Sequence, residues 1–104
     1  MTSKKSNRRN VIVTNTGYGL YYGQIEASDA EIAKTKAVRV YGCRHIARWH
    51  GGTGGITSLA AWGPRAGADN RVGEPADALI TNVANVFAVS DEAAAAFDAV
   101  RATR

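Results

Sequence analysis

The densest group of chemically active side chains lies between residues 44 and 50. Its members are Arg44, His45, Arg48, Trp49 and His50. Alternate residues of a strand share a face, so Arg44 and Arg48 would lie together and His45 would lie with Trp49. Two arginines on one face can bind an anion or an acidic protein surface, and an exposed tryptophan can anchor an interface. The competing interpretation is a core tryptophan beside solvated arginines.

The same stretch does not fit catalysis or metal binding. His45 and His50 are five residues apart, without a nearby cluster of cysteines or acids, so they do not predict a metal site. Cys43 adjoins Arg44 and His45, but neighbours on a strand point to opposite faces, and we expect a buried structural cysteine. No pair of carboxylates can be placed together for acid–base work. We therefore expect no catalytic residue, no metal and no cofactor, and a protein that is not an enzyme.

A glycine-rich run follows this group, over residues 51–55. A nucleotide-binding P-loop needs a lysine after its second glycine, whereas Ile56 follows Gly55 here. If a helix begins at Ile56, its free N–H groups can bind an anion beside Gly54 and Gly55. The alternative is a plain flexible connection.

Charge is distributed unevenly along the 104 residues. Residues 1–10 contain no acid and four cations, which account for the net charge of +4: Lys4, Lys5, Arg8 and Arg9. Residues 11–104 contain nine basic and nine acidic side chains and are neutral. Because nucleic-acid-binding domains usually carry a basic face on the folded body, this balance argues against nucleic acid as the partner. We expect a basic arm over 1–10, either bound to an acidic surface or to phosphates or solvated, and a single domain over 11–104.

Composition limits the class of protein. No run approaches the roughly 18 apolar residues of a membrane span, and no apolar segment follows the first charges as in a signal peptide. One cysteine rules out an internal disulfide framework. The 27 bulky apolar side chains form a thin core beside 19 alanines and 11 glycines. That core indicates either a domain stabilised by self-association or a large partner surface, or a modest monomer core.

The elements that would position these residues are strands first and helices later. Strands are predicted at 11–14, 20–26, 37–49 and 79–89, the first two as a hairpin. Helices are predicted at 56–62, ended by Gly63-Pro64, and at 93–101, behind Ser90 as N-cap. Residues 30–36 fit a helical turn or a loop, and 79–89 also fits a helix. The order β-β-β-α-β-α is an α+β fold, with two short helices on a small antiparallel sheet or open barrel.

Four stretches carry a likeness to known proteins. They are GLYYGQIE at 19–26, RHIARWHG at 44–51, SLA at 58–60 and SDEA at 90–93. Over residues 19–100 the chain resembles a family of small uncharacterised proteins encoded by tailed bacteriophages and prophages. Members of that family usually carry a second arginine where His45 stands and aromatic residues where Ala47 and Arg48 stand, and this chain has a longer glycine loop before Ile56. The resemblance implies a phage origin and brings no established function.

A phage origin, a neutral body and a cationic arm together predict a virion accessory protein. We expect a capsid decoration or cement protein, assembled in the host cytoplasm and carried in the virion. It would bind a capsid or other virion protein through its arm and loops, and would also form a homo-oligomer. One alternative is an intracellular counter-defence protein that binds a host protein or nucleotide signal through Arg44, Arg48, Trp49 and the glycine loop. Another is nucleic-acid binding through the arm.

Overall fold

A computed structural model describes residues 7–17, 19–49 and 54–103. Over these ranges the chain forms six strands and three helices in the order β1 (Arg9–Asn15), β2 (Leu20–Ile25), α1 (Asp29–Thr35), β3 (Ala37–Arg48), α2 (Gly55–Trp62), β4 (Arg71–Val72), β5 (Ala76–Thr81), β6 (Val83–Ala88) and α3 (Asp91–Asp98). The predicted α+β fold with a small antiparallel sheet is confirmed. Each helix has only seven or eight residues. Within the described residues, no helix has the length and apolarity that are needed to cross a bilayer.

The sheet curls because its two ends are joined by one residue. The strand order is β4-β3-β2-β1-β6, and β5 pairs with β3 along the edge that also carries β4. Asn82 alone connects β5 to β6, which lies at the opposite end of the sheet. Its φ of 55° is a left-handed conformation that asparagine tolerates better than most residues. The predicted strand over 79–89 is therefore two strands on either side of a bend.

The curled sheet buries apolar side chains on both faces. On β1, Val11 and Val13 belong to an inner cluster, whereas Ile12 between them belongs to an outer cluster. Ile32 of α1 contributes to the inner cluster, and Leu59 of α2 and Phe97 of α3 contribute to the outer one. Because strand side chains alternate, burial on both sides requires the continuous apolar run that this strand contains.

The helices differ from the predicted ones at their ends. Residues 30–36 fit either a helix or a loop in the sequence; residues 30–35 belong to α1, which begins with a capping box of Ser28 and Glu31, and Lys36 is its C-cap. The Glu31 carboxylate accepts the Ser28 backbone N–H at 2.9 Å, and this bond lowers the pKa of Glu31. The helix predicted at 56–62 is confirmed as α2. Ser90 caps α3 as expected, but that helix ends at Asp98 and not at residue 101.

Candidate functional site

The helices cover only part of the outer face of the sheet. Tyr22 and Ile46 are buried beneath them in the outer cluster. Beyond α2 and α3 the outer side of β2, β3 and β5 carries polar and exposed side chains. We call this region the open face, and its residues are Gln24, Arg39, Tyr41, Asp77 and Leu79. A face of this kind is available to a partner because short helices leave it uncovered.

A cleft of ≈ 450 Å³ lies where the open face meets α3. Gln24 and Tyr41 line it together with Asp77 of β5, Asp98 of α3 and Arg8, which precedes β1. The pairing of β3 with β5 shifts register between Val40 and Cys43, around Gly42. This bulge interrupts the sheet at the cleft.

Arg8 is held against one wall of the cleft by Glu26 and Tyr41. Its Nε donates to Glu26 Oε2 at 3.2 Å, and its guanidinium carbon lies 3.9 Å from the centroid of the Tyr41 ring. The Tyr41 hydroxyl donates to the other oxygen of Glu26 at 3.5 Å. The carboxylate and the ring therefore fix the arginine by an ion pair and a cation–π contact.

Two carboxylates stand on the other side of the cleft. Asp77 accepts the Gly42 N–H at 2.9 Å, and Asp98 accepts the Tyr22 hydroxyl at 3.3 Å. Burial and the adjacent Asp98 charge raise the pKa of Tyr22 to about 12, so the phenol remains a donor at neutral pH. Each of these bonds uses one carboxylate oxygen, so hydrogen-bond acceptors remain at the cleft for a ligand.

Arg44 is not a surface residue, and the prediction that it forms an anion-binding or interface pair with Arg48 is wrong. Its exposed fraction is 6 %. Its guanidinium donates at 2.8 Å to the carbonyl oxygens of Gly73, Phe97 and Val100. Phe97 lies in the last turn of α3, where the helix dipole is negative, and Val100 follows the C-cap Ala99. Arg44 therefore fastens β3 to α3, and its donors are directed into the protein.

The partners predicted for Arg44 are dispersed. The pairing of β3 with β4 shifts register between Ile46 and Arg48. Arg48 is exposed to solvent and pairs there with Asp69 at 2.9 Å. Hydrogen bonds from Arg71 and Arg48 hold the pKa of Asp69 below its ordinary value. Trp49 is half-buried and packs against the outer cluster. No shared binding face therefore joins Arg44, Arg48 and Trp49.

The glycines predicted to bind an anion lie at the start of α2. Gly54 is the N-cap and Gly55 is the first helical residue. The Thr57 hydroxyl donates to the Gly54 carbonyl oxygen at 3.3 Å. Residues 50–53, which include His50, lie outside the described ranges. In the described part the structure shows a helix start without a side-chain cap and adds nothing that identifies an anion.

The first strand overlaps the end of the predicted basic arm. β1 begins at Arg9, so the predicted boundary after residue 10 falls inside a strand. Arg9 donates to Asp29 at 2.7 Å and to the Ala27 carbonyl oxygen at 3.1 Å, and Arg8 is held as described above. Lys4 and Lys5 lie outside the described residues. Of the four predicted arm cations, two are therefore bound by the domain's own groups.

The cysteine and histidine predictions concern the middle of β3. Cys43 is buried in the inner cluster, as predicted, and burial raises its pKa to about 11. His45 is exposed, with its ring centroid 5.5 Å from that of Tyr21. In ranges 7–17, 19–49 and 54–103, no three side chains of the His, Cys, Asp and Glu types come together to hold a metal.

Two residues that line the cleft, Arg8 and Arg44, are among the predicted site residues, but the sequence does not predict the cleft or its other residues. Tyr41, Asp77 and Asp98 come from three elements, and only the pairing of β3 with β5 and the docking of α3 bring them together. The available signal was Gly42, because a glycine inside a strand pattern indicates a bulge. That signal marks an irregularity in β3 and does not reveal which elements meet there.

Comparisons with known proteins give one family. Neither the curated proteins nor the solved structures gave a significant match. A family model described as a domain of unknown function, DUF6948, matches residues 8–97. The matched segment runs from the arginine at the cleft wall to the last buried aromatic residue of α3. Because the match covers most of its length, the chain belongs to the DUF6948 family.

Proposed function

We propose that the protein is a phage virion accessory protein, of the capsid decoration type, that attaches to a shell protein through the cleft. The phage connection comes from the sequence resemblance over residues 19–100. The observation that supports the attachment is the position of Arg8. This residue lines the cleft and follows Lys4 and Lys5 closely in the sequence. A shell segment bound in the cleft would meet the folded domain and the cationic leader together.

The chemistry of the cleft favours a polar protein segment. Gln24 donates its amide to Asn10 at 3.1 Å, which leaves its own carbonyl oxygen as an acceptor. Asp77 and Asp98 add acceptors, and Tyr41 supplies an aromatic surface of the kind that anchors interfaces. Backbone N–H groups and basic side chains of a shell loop would satisfy these acceptors, while Lys4 and Lys5 would meet acids beside that loop.

A second candidate function is sequestration of a nucleotide signal in the host cell. A volume of ≈ 450 Å³ lies within the range of small-molecule sites. Asp77 and Asp98 oppose this function because carboxylates repel phosphates. Binding of nucleic acid through the arm is also less favoured, since Arg8 and Arg9 already pair with Glu26 and Asp29.

Mass spectrometry of purified phage particles tests the proposed location. We expect the protein at many copies per particle, in a fixed ratio to the shell protein. Its absence from particles, together with calorimetric binding of a nucleotide by the isolated protein, would establish the second candidate function instead.

Particle binding by variants tests the cleft. Particles lacking the protein are incubated with the Tyr41→Ala chain, and bound protein is measured by sedimentation with the particles. Loss of an aromatic anchor should weaken binding about tenfold. Trp62→Ala is the matched control, because this exposed aromatic residue lies outside the cleft. Equal binding of the two variants would show that the shell contact lies elsewhere.

A further inference from the structure

One edge of β5 has no neighbouring strand in the described part of the chain. β5 pairs with β3 along its other edge, and the turn and loop hydrogen bonds between backbone groups do not involve residues 76–81. A strand edge of this kind presents unpaired N–H and C=O groups in the geometry that a further strand would use. Six residues are enough for a regular antiparallel pairing.

An exposed leucine lies in this edge strand. Leu79 is 54 % exposed, and among the described residues Trp62 is the other large apolar side chain with comparable exposure. Leu79 points to the open face, between Asp77 and Thr81 on the same side of β5. The apolar surface is therefore narrow and centred on one residue, which suits a contact with the same residue of another copy.

Charged groups near β5 lie at three positions along it: Asp77 before Leu79, Arg39 beside Leu79 and Lys36 near the end after Thr81. Arg39 pairs with Leu79 across β3 and β5, and the Lys36 carbonyl oxygen accepts the N–H of the residue after Asn82 at 2.9 Å. Within the described ranges neither cation has an ion pair with an acid. Asp77 lies at the other end of β5. A two-fold rotation about Leu79 therefore brings Asp77 of one copy towards the end of β5 near Lys36 in the other, while Arg39 stays beside the central leucine.

We propose that two copies of the protein pair through β5, antiparallel, with Leu79 opposite Leu79 of the second copy. Asp77 then lies opposite Thr81 of the second copy, whose hydroxyl can donate to the carboxylate. The pairing extends the sheet across both molecules, satisfies the open backbone edge and removes both leucines from water. A closed two-fold contact of this kind also ends the assembly at two copies and prevents growth into a fibre.

This dimer changes how the clefts are presented. The two-fold axis of an antiparallel edge pairing runs perpendicular to the sheet, so both open faces and both clefts look in the same direction. A shell with repeated sites would then be held at two points, which strengthens attachment without a new contact. This consequence rests on the proposed function, whereas the dimer itself does not.

Sedimentation velocity of the full chain tests the pairing in the absence of any shell protein. We expect a monomer–dimer equilibrium whose dissociation constant rises about tenfold or more in Leu79→Lys, because a charge at the centre of the edge opposes pairing. Trp62→Lys is the matched control and should leave the equilibrium unchanged. A wild-type chain that stays monomeric at all concentrations overturns the proposal, as does equal weakening by both substitutions.

Oxidative cross-linking tests the register and does not depend on a disruptive variant. Directly opposed residues of antiparallel strands are spaced as a disulfide requires, so Leu79→Cys should form a covalent dimer with itself. The buried native thiol at Cys43 should not react. Asp77→Cys should cross-link with Thr81→Cys but not with itself. Cross-linking of Trp62→Cys at the same rate as Leu79→Cys would refute the β5 contact. Loss of particle binding with an intact dimer would refute only the shell attachment.

Discussion

Arg44 shows how a charged residue can be buried without an acidic partner. Three main-chain carbonyls accept its N–H groups at 2.8 Å: Phe97 in the last turn of α3, Val100 just after that helix, and Gly73. The Phe97 carbonyl oxygen also accepts the Val100 backbone N–H at 3.0 Å, so the guanidinium is an additional donor there and joins the end of α3 to β3. The guanidinium suits this task because its N–H groups diverge in one plane, whereas a lysine ammonium is a single point.

Substituting Arg44 should therefore destabilise the whole domain. Arg44→Met retains much of the packing but removes the guanidinium donors from the Gly73, Phe97 and Val100 carbonyl oxygens, and we expect the free energy of unfolding in urea to fall by about 3 kcal/mol. Arg48→Met is the control, because this arginine pairs with Asp69 at the surface. Its urea midpoint should stay within error of the wild type. Similar losses in both variants would contradict the structural role of Arg44.

For single residues, the sequence predicts that β3 is a strand but does not predict where the Arg44 side chain points. The extended segment predicted at 37–49 is confirmed over residues 37–48, and Cys43 was correctly predicted as buried. Arg44 was placed on the surface because its acceptors are 29 to 56 residues away in sequence. A local pattern contains no information about carbonyls brought in by β4 and α3.

Packing of α2 against α3 depends on a glycine at the end of α2. Gly63 has a φ of 80°, and a Cβ there would lie 2.6 Å from the Cβ of Ala96. Its N–H also donates to the Leu59 carbonyl oxygen at 2.8 Å and so closes the helix. The Ser90 hydroxyl donates to the Ala61 carbonyl oxygen at 2.7 Å, which ties the start of α3 to the end of α2. The two helices therefore dock through their ends.

A pair of glycine substitutions separates docking from backbone strain. Gly67 has nearly the same φ, 79°, but open space around the position of a Cβ. We expect Gly67→Ala to cost about 1 kcal/mol of unfolding free energy, from strain alone. Gly63→Ala should cost at least about twice as much, because the methyl group also pushes α3 away. Equal losses measured by thermal unfolding would show that close packing at Gly63 is unimportant.

The elements were predictable where their signals are local. The hairpin over 10–26, the helix stopped by Gly63-Pro64 and the Ser90 cap all follow from turn and cap chemistry within a few residues. The bend at Asn82 was missed because residues 79–89 are rich in β-branched and apolar residues on both sides of the short polar pair Thr81-Asn82, which by itself does not require a turn. Only the curling of the sheet requires the chain to turn there.

The whole molecule consists of two small cores that share one sheet. Inner and outer clusters each contain eight or nine buried residues and use alternate side chains of the same strands. Composition predicted a thin core, and the structure places this limited apolar material on two faces. Because β1 serves both clusters, loss of either one exposes the other. We infer that the domain unfolds as one unit.

High pH should weaken both clusters. Cys43 belongs to the inner cluster and Tyr22 to the outer one, and burial raises their pKa values from 9.0 to about 11 and from 10.0 to about 12. A raised pKa of an acid means that its contribution to stability is complete below the ordinary value and is lost as pH rises towards the folded value. Each group accounts for about 3 kcal/mol at most, since one pKa unit corresponds to about 1.4 kcal/mol.

Urea unfolding across this pH range measures the effect. The unfolding free energy should begin to fall near pH 9, and Cys43→Ala should remove the part of the loss between pH 9 and about 11. The loss that comes from Tyr22, which also faces Asp98 and Arg44, begins near pH 10, overlaps the thiol's range and persists in Cys43→Ala up to about pH 12. A variant with the same slope as the wild type throughout would show that the thiol is not the titrating group.

The contacts of Arg44 also set an order for biosynthesis. Its acceptors on Phe97 and Val100 are translated 53 and 56 residues after it. In a nascent chain that has been translated only past β3, the Arg44 guanidinium therefore lacks these two acceptors. Its N–H groups must stay hydrated until α3 emerges. The nascent chain of this protein therefore cannot complete its native fold until α3 and the residues after it have been synthesised.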